Sequence, residues 1–436
     1  MKRAPGFARR GSVAAIIAAL LPAAAAAQFS QGQPGTYVIR GGTVVPVSGP
    51  AVRADVLVRD GKIAAVGPNV TATGATVIDA TGKFVYPGLI DSSTNLGLSE
   101  ISSVPATVDV NEAGTYKPHM RAIVAVNPSS ELIAVTRVNG VTTAISQPEG
   151  GIISGQAALI RLDGWTQTEM AIRSSAGFVI NYPRAGGGGR GGFGGGAGAG
   201  ENANRVEEQI AELRDFLFRA REYDRIRSAG NENIDLPLEA MRPLMQGKVP
   251  AVFGADTKEQ IEGALKLADE FGLKPVISGG DEAWKVASEL ARRNVPVVLG
   301  TLLSTPGNDQ PYDAIYALPG VLQRAGVKIA FATGGGANAR HVPYDAALAV
   351  AYGLDPEAAL RALTIWPAEI WGVADQIGSI EVGKAADLFV ASGDPLDVRT
   401  TVSEVLIGGK RIPWDDRHTR LYEKYNTRPS VKASGH

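Results

Sequence analysis

Eight short apolar runs, spaced through the middle of the chain and separated by segments of helical periodicity, limit its fold more than any other feature. They fall at residues 85–90, 141–145, 157–161, 177–180, 249–253, 274–277, 295–299 and 328–332. Each is too short for a buried helix and rich enough in Val, Ile and Phe for a strand covered on both faces. Between them, residues 257–271 place Ile261, Leu265 and Ala268 at helical spacing, and 283–293 does the same with Val286, Ala287, Leu290 and Ala291. Strands alternating with helices in this number predict an α/β fold, a (β/α)8 TIM-like barrel over residues 86–385, with its functional site at the C-terminal ends of the strands.

The flanks read differently. Residues 36–85 show short apolar and polar alternations broken at Arg59-Asp60-Gly61 and Ala80-Thr81-Gly82, the texture of a small antiparallel module. That texture returns at 386–412, with a turn at Gly408-Gly409-Lys410. The two segments are expected to build one small β-sandwich beside the barrel. Residues 413–436 are polar and read as a loosely held tail. Within the barrel, the tract 185–200 is dominated by glycine but lacks the Gly-Lys-Ser/Thr ending of a phosphate cradle, so it reads as a flexible insertion. Residues 205–227 then read as a charged surface helix.

The first 27 residues have the order of an export signal: Lys2, Arg3, Arg9 and Arg10, an apolar run at 13–21, then an alanine tract ending at Ala27. Arg9-Arg10 leaves twin-arginine and general secretion both open. The expectation is an exported, periplasmic protein with no membrane span once the signal is removed. Forty-three Lys and Arg against 44 Asp and Glu give a net charge of -1, with no overall attraction to nucleic acid. The absence of cysteine removes thiolate nucleophiles, disulfides and zinc-cysteine sites, leaving four histidines at 119, 341, 418 and 436.

Three segments carry a family resemblance. Residues 77–91, ending Pro87-Gly88-Leu89-Ile90-Asp91, resemble the approach to the first barrel strand of the amidohydrolase superfamily. Gly378-Ser379-Ile380-Glu381-Val382-Gly383-Lys384-Ala385-Ala386-Asp387-Leu388 resembles that superfamily's return into its sandwich. Residues 353–368 resemble the helical segment after the eighth strand, where Asp355 can cap and Pro356 suits the first helical position. The resemblance spans nearly the whole chain after the signal and is weakest across the glycine tract.

It implies one or two divalent metals held by a His-x-His pair after strand one, a Lys or Glu on strand four, His after strands five and six, and Asp after strand eight. Metal-bound water would then attack an amide, ester or related bond. In this sequence the pair falls on Ser93 and Asn95, the strand-five and strand-six positions on Gly254 and Gly279, and the strand-eight position on Gly334. No lysine ends strand four, because Lys248 precedes strand five. Glycine has no side-chain lone pair, and neutral Ser or Asn oxygen is a poor substitute for imidazole toward zinc. No metal and no other cofactor is therefore expected.

Chemistry without the usual metal site has other candidate residues. Asp256 and Asp281 follow strands five and six, where a carboxylate pair can act as general acid and base. Asp256, with Glu259 three residues on, also has the spacing of a capping box, and Asp281 can cap the next helix. His341 follows strand eight and His119 lies in the long connection after strand one; a metal shared between them competes with packing or solvated roles. Ser92 and Ser93 have no nearby base or elbow motif, while Glu100 and Glu149 are pocket candidates. The leading expectation is a ligand-binding or partner subunit, taking a small molecule at the barrel mouth and pairing with itself or an active paralogue. The alternative is a hydrolase of C–N bonds built on Asp256, Asp281 and His341, with zinc or another divalent metal.

Overall fold

The computed structural model describes residues 30–184, 199–230, 233–305 and 311–428. The signal segment 1–27, most of the glycine tract and His436 lie outside the described residues. Two sheets of eight strands each organise the chain.

The first sheet is the sandwich. It takes β1 (Tyr37–Val44), β2 (Val52–Arg59), β3 (Lys62–Gly67), β4 (Thr76–Asp79) and β5 (Phe84–Pro87) from the N-terminal side, and β14 (Leu388–Ala391), β15 (Val402–Ile407) and β16 (Lys410–Arg411) from the C-terminal side. The strand order is β16-β15-β14-β5-β1-β2-β3, with β4 also on β1. The two ends of the chain thus share one sheet, as the recurring texture predicts. It is not purely antiparallel: β1 runs parallel to both β4 and β5. Ile39, Val56, Val58, Ile78, Leu388 and Leu406 form its buried core.

The second sheet is the barrel, in the order β6 (Leu89–Thr94), β7 (Val141–Ser146), β8 (Ile153–Arg161), β9 (Ala171–Asn181), β10 (Ala251–Ala255), β11 (Pro275–Gly279), β12 (Val297–Leu299) and β13 (Ile329–Ala330). It closes through Ser92 N donating to Phe331 O at 3.0 Å and Gly334 N to Ser93 O at 2.9 Å. Alternate positions face inward: Ile90, Ile145, Val252, Val276 and Val298 pack inside, while Leu89, Ala144, Phe253, Ile277 and Val297 join the cluster outside. This is the period of two expected of strands covered on both faces.

The helices are α1 (Ala122–Ala125), α2 (Glu131–Arg137), α3 (Gln167–Met170), α4 (Ala199–Ser228), α5 (Leu236–Met245), α6 (Lys258–Phe271), α7 (Ala287–Arg292), α8 (Ala314–Arg324), α9 (Val342–Ala351), α10 (Pro356–Ala362), α11 (Ile365–Ile370) and α12 (Arg417–Asn426). None among the described residues is long and apolar enough to cross a membrane.

Four differences from the sequence reading have physical causes. The run 85–90 splits at Gly88 into β5 of the sandwich and β6 of the barrel. There the backbone passes so close to Thr142 that a Cβ would stand 2.0 Å from its Oγ1, and Gly88 N donates to Asp387 O. Strand β8 runs antiparallel to both neighbours, because the turn from β7 is too short for a crossover helix. The segment 283–293 divides into a 3-10 turn at Ala283–Val286 and the helix α7. Residues 417–426 are helical rather than loose: Asp416 accepts from His418 N and Thr419 N, and Arg420 Nη2 donates to both carboxylate oxygens of Glu131 at 2.9 and 3.0 Å.

Candidate functional site

The C-terminal ends of the parallel strands surround a cavity of about 470 Å³ at the barrel mouth. Since β8 runs the other way, its N-terminal end, with Ser154, joins them there. Ser93, Gly254 and Gly334 line this cavity together with Asp256, Glu149, Asn181 and Arg184.

Three of the positions that the resemblance aligns with metal ligands, Asn95, Gly254 and Gly279, have close neighbours. Asn95 is held at both ends of its carboxamide, donating to Glu149 Oε1 at 3.3 Å and accepting from Gly336 N at 2.7 Å. A Cβ on Gly279 would stand 2.1 Å from Asp256 Oδ1, and the residue has a φ of +96°, so the Asp256 carboxylate sits where a side chain would begin. A Cβ on Gly254 would meet Asn181 Oδ1 at 3.0 Å. Gly334, with a φ of +71°, has open space beside it. Among the described residues, no three His, Asp or Glu side chains come together as a metal-holding group.

The candidates Asp256, Asp281 and His341 do not share this cavity: Asp256 lines it, and the other two are not among its lining residues. The capping box forms one residue later than its spacing suggested. Thr257 Oγ1 accepts from Gln260 N at 3.3 Å, while Gln260 Oε1 accepts from Asp256 N and Thr257 N at 2.9 and 3.1 Å. The Asp256 side chain is thereby turned toward the mouth, 3.6 Å from Arg184. The cap position of the turn after Asp281 is Glu282, bonded to Lys258 N and to Lys285. His341 ends the 3-10 turn Gly336–His341 beside Tyr344, and burial with the neighbouring Arg340 charge lowers its pKa. His119 is exposed and lines a different cavity, with Asp109 and Glu112.

Several residues at or beneath the mouth lie outside the candidate set that the sequence offers. Asp91 is fully buried on β6, with Thr333 donating from its hydroxyl and, at 3.2 Å, from its backbone. Desolvation pushes its carboxyl up to about 7 against those hydrogen bonds, with a further push from the Asp345 charge. Asp345, on α9, is likewise pushed to about 7 by burial. The amides of Leu302 and Leu303 and the Thr301 hydroxyl face it, but neither oxygen closes a hydrogen bond of ordinary geometry. Lys117 is 2% exposed and satisfied by Asn111 Oδ1 and the carbonyls of Glu112 and Glu149. It fastens the long connection after strand one to the mouth, so this segment is docked rather than a free lid. Asn181 donates to Gly151 O at 2.8 Å and Ser154 Oγ at 3.0 Å, fixing the turn after strand two. An acid ending an apolar strand was the visible clue to Asp91; the others are joined by contacts distant in sequence.

An eight-stranded barrel with a composite sandwich and a polar cavity at its mouth defines the class of protein. A model of the amidohydrolase family matches residues 307–412. The crystal structure of an amidohydrolase from Thermotoga maritima superposes with a TM-score of 0.77 at 28% identity, covering 86% of this chain and 99% of that one. Amidohydrolase tasK of Hapsidospora irregularis is 26% identical over 81% of this chain and 39% of its own length. D-hydantoinase of Geobacillus stearothermophilus is 45% identical over 18% of this chain and 16% of its own. The chain thus spans about two fifths or less of the length of these curated relatives. Together these matches support the amidohydrolase superfamily for this chain.

Proposed function

We propose that this is an exported, periplasmic amidohydrolase-fold protein of the cell envelope that binds a small molecule at its barrel mouth without a catalytic metal, as a ligand-binding or partner subunit. The observation that carries this reading is the content of the five ligand positions, one hydroxyl, one carboxamide and three glycines. That donor set does not fit a zinc-type ion. At Gly279 the Asp256 carboxylate blocks the room for a longer side chain, and at Asn95 the carboxamide is committed to Glu149 and Gly336. What remains suits hydrogen-bonded recognition of a polar molecule. Arg184 and Asp256 offer opposite charges at the wall, and the carboxamide nitrogen of Gln147 is buried without a hydrogen-bond partner.

A subunit role, as a homo-oligomer or beside an active paralogue, is part of the same reading. Elemental analysis of protein purified without chelator tests the metal-free reading. The expected content of zinc, manganese and nickel is far below one per chain. A stoichiometric ion lost on Asp256→Asn or Glu149→Gln would overturn it.

A second reading is favoured by the two carboxylates, Asp256 and Glu149, that line one cavity: hydrolysis of C–N bonds with these groups as acid and base, or as oxygen ligands to zinc or another divalent metal. Turnover of amides, lactams or dipeptides that vanishes in Asp256→Asn would favour it. Turnover intact in both single variants would remove it.

A further inference from the structure

The end of the barrel opposite the mouth holds a second cavity of about 590 Å³. It lies where β9 through β13 begin, and its electrostatics depart sharply from those of a chain with a net charge of -1. Arg173, Lys248, Lys274, Arg293 and Lys328 line it against a single acid, Glu369. The placement is periodic in the fold. Lys248 precedes β10, Lys274 precedes β11, Arg293 precedes β12 and Lys328 precedes β13, so successive parallel strands each bring a cation to the same rim.

Two of these charges have ion-pair partners. Arg293 pairs with Asp269 and Glu289, and Lys328 pairs with Glu369 at 2.6 Å. Lys248 and Lys274 have no ion pair among the described residues, and Arg173 is held by donating to the Gly372 carbonyl at 2.6 Å. The wall below the rim is apolar. Pro250, Pro275 and Pro296 offer no backbone N–H there, and Val249 and Leu273 add aliphatic surface. Trp371 completes the lining; it is 2% exposed, and its Nε1–H has no acceptor. A buried indole donor without an acceptor is uncommon and costs stability unless something supplies one.

We propose that this floor cavity is a binding site for a small organic anion, a phosphate-type head on an apolar body. The head is held by Lys248, Lys274 and Arg173, and the body lies against the prolines and Trp371. Three uncompensated cations around one concavity favour a dianion over a neutral molecule, because partial exclusion of water strengthens each attraction. The apolar wall favours a ligand larger than the bare ion. The site is separate from the mouth and does not rest on the function proposed for it.

Calorimetric titration of the full chain at low ionic strength with phenyl phosphate, inorganic phosphate and benzyl alcohol tests the assignment. Saturable one-to-one binding of phenyl phosphate is expected, with inorganic phosphate weaker and no heat from benzyl alcohol. Lys248→Ala/Lys274→Ala, both at exposed positions, should weaken phenyl phosphate by about tenfold or more. Asp256→Asn at the mouth should leave that affinity unchanged. If the double variant loses its folded baseline, Lys274→Gln alone serves, with a smaller loss of affinity expected. No saturable binding, equal affinity in the lysine variants, equal binding of benzyl alcohol, or sensitivity to Asp256→Asn would each overturn the proposal. Binding of only long polyanions or an acidic protein would also overturn it, in favour of a macromolecular docking face.

Discussion

The most demanding prediction concerns the joint between barrel, sandwich and both ends of the described chain. Arg137 at the end of α2 is buried, and its Nη1 meets Asp163 Oδ1 at 3.1 Å with the two side chains 1% and 0% exposed. Its Nη2 donates to Ser30 O. Asp163 also accepts from Gly32 N at 2.8 Å and pairs with Lys410 Nζ of β16 at 3.0 Å. Arg137→Met keeps most of the volume and removes one charge from a dry pair. Breaking such a pair from one side costs about 3–5 kcal/mol, chiefly for the charge left behind. Here Lys410 and Gly32 still hold Asp163, which places the expectation at the lower end, about 3 kcal/mol.

Arg137→Met/Asp163→Leu removes both charges. Lys410 is one-third exposed and can turn to solvent, as can Asp415, 3.9 Å from Arg137 and 30% exposed, so the remaining loss is chiefly the unpaired Ser30 carbonyl and Gly32 N–H, about 1–3 kcal/mol. The double variant should therefore cost far less than the sum of the singles, with a coupling of about 3 kcal/mol. Urea unfolding followed by far-ultraviolet circular dichroism measures all four corners of the cycle, provided the slope stays constant. A loss below about 1 kcal/mol in Arg137→Met, or simple additivity, would refute the reasoning.

Two further outcomes follow from the buried acids and the mouth. Asp91 and Asp345 bind protons more tightly folded than unfolded, so their contribution to stability should be full below about pH 4, fall as pH rises toward 7, and level off above it, while the lowered carboxylates of Asp79, Glu239, Glu282, Glu381 and Asp397 lose theirs on acidification. His341, whose pKa is lowered by burial and the Arg340 charge, works in the opposite sense, losing stability as pH falls, and that contribution is removed by His341→Gln. Asp91→Asn should flatten the urea midpoint against pH and raise it at pH 8; a midpoint climbing from pH 5 to 7 would contradict this. Gly279→Ala should lower the thermal midpoint by an amount equivalent to about 1–3 kcal/mol, because the residue has a φ of +96° and its new Cβ would meet Asp256 Oδ1 at 2.1 Å. Gly254→Ala, meeting only Asn181 Oδ1 at 3.0 Å, should cost less.

The eight barrel strands were legible because each must be apolar on both faces, a demand written in every short run from residue 85 to 332. Their directions were not: nothing within 157–161 distinguishes a parallel from an antiparallel strand, and only the short turn 147–152 betrays the reversal at β8. The split at Gly88 was hidden for a similar reason, since its cause is Thr142, more than fifty residues away. The cap of α6 slipped by one because Asp256 with Glu259 and Thr257 with Gln260 have the same spacing, and the choice depends on where the Asp256 carboxylate goes. Of the positions the family resemblance pointed to, Ser93, Gly254 and Gly334 line the mouth cavity, where Asn181 joins them through the register of β9 against β10 and Arg184 through the segment that follows β9. Lys117 resembled any surface lysine until its acceptors were in place.

Mouth and floor are insulated from each other by what fills the barrel. Ile90, Ile145, Leu159, Val179, Val252, Val276 and Val298 form one buried cluster inside it, and Trp371 belongs to the same cluster on the floor side. A close-packed aliphatic layer of this kind leaves no path for a polar ligand or for water between the two ends. It does not conduct charge effects well either, since the Asp256–Arg184 pair at one end is half solvated and is screened by solvent. Substitutions at Lys248 and Lys274 should therefore add to those at Asp256 and Glu149 within about 0.5 kcal/mol, in stability and in ligand affinity alike. A larger coupling would mean that the barrel interior moves when either end is occupied, which a rigid cluster of β-branched and leucine side chains opposes.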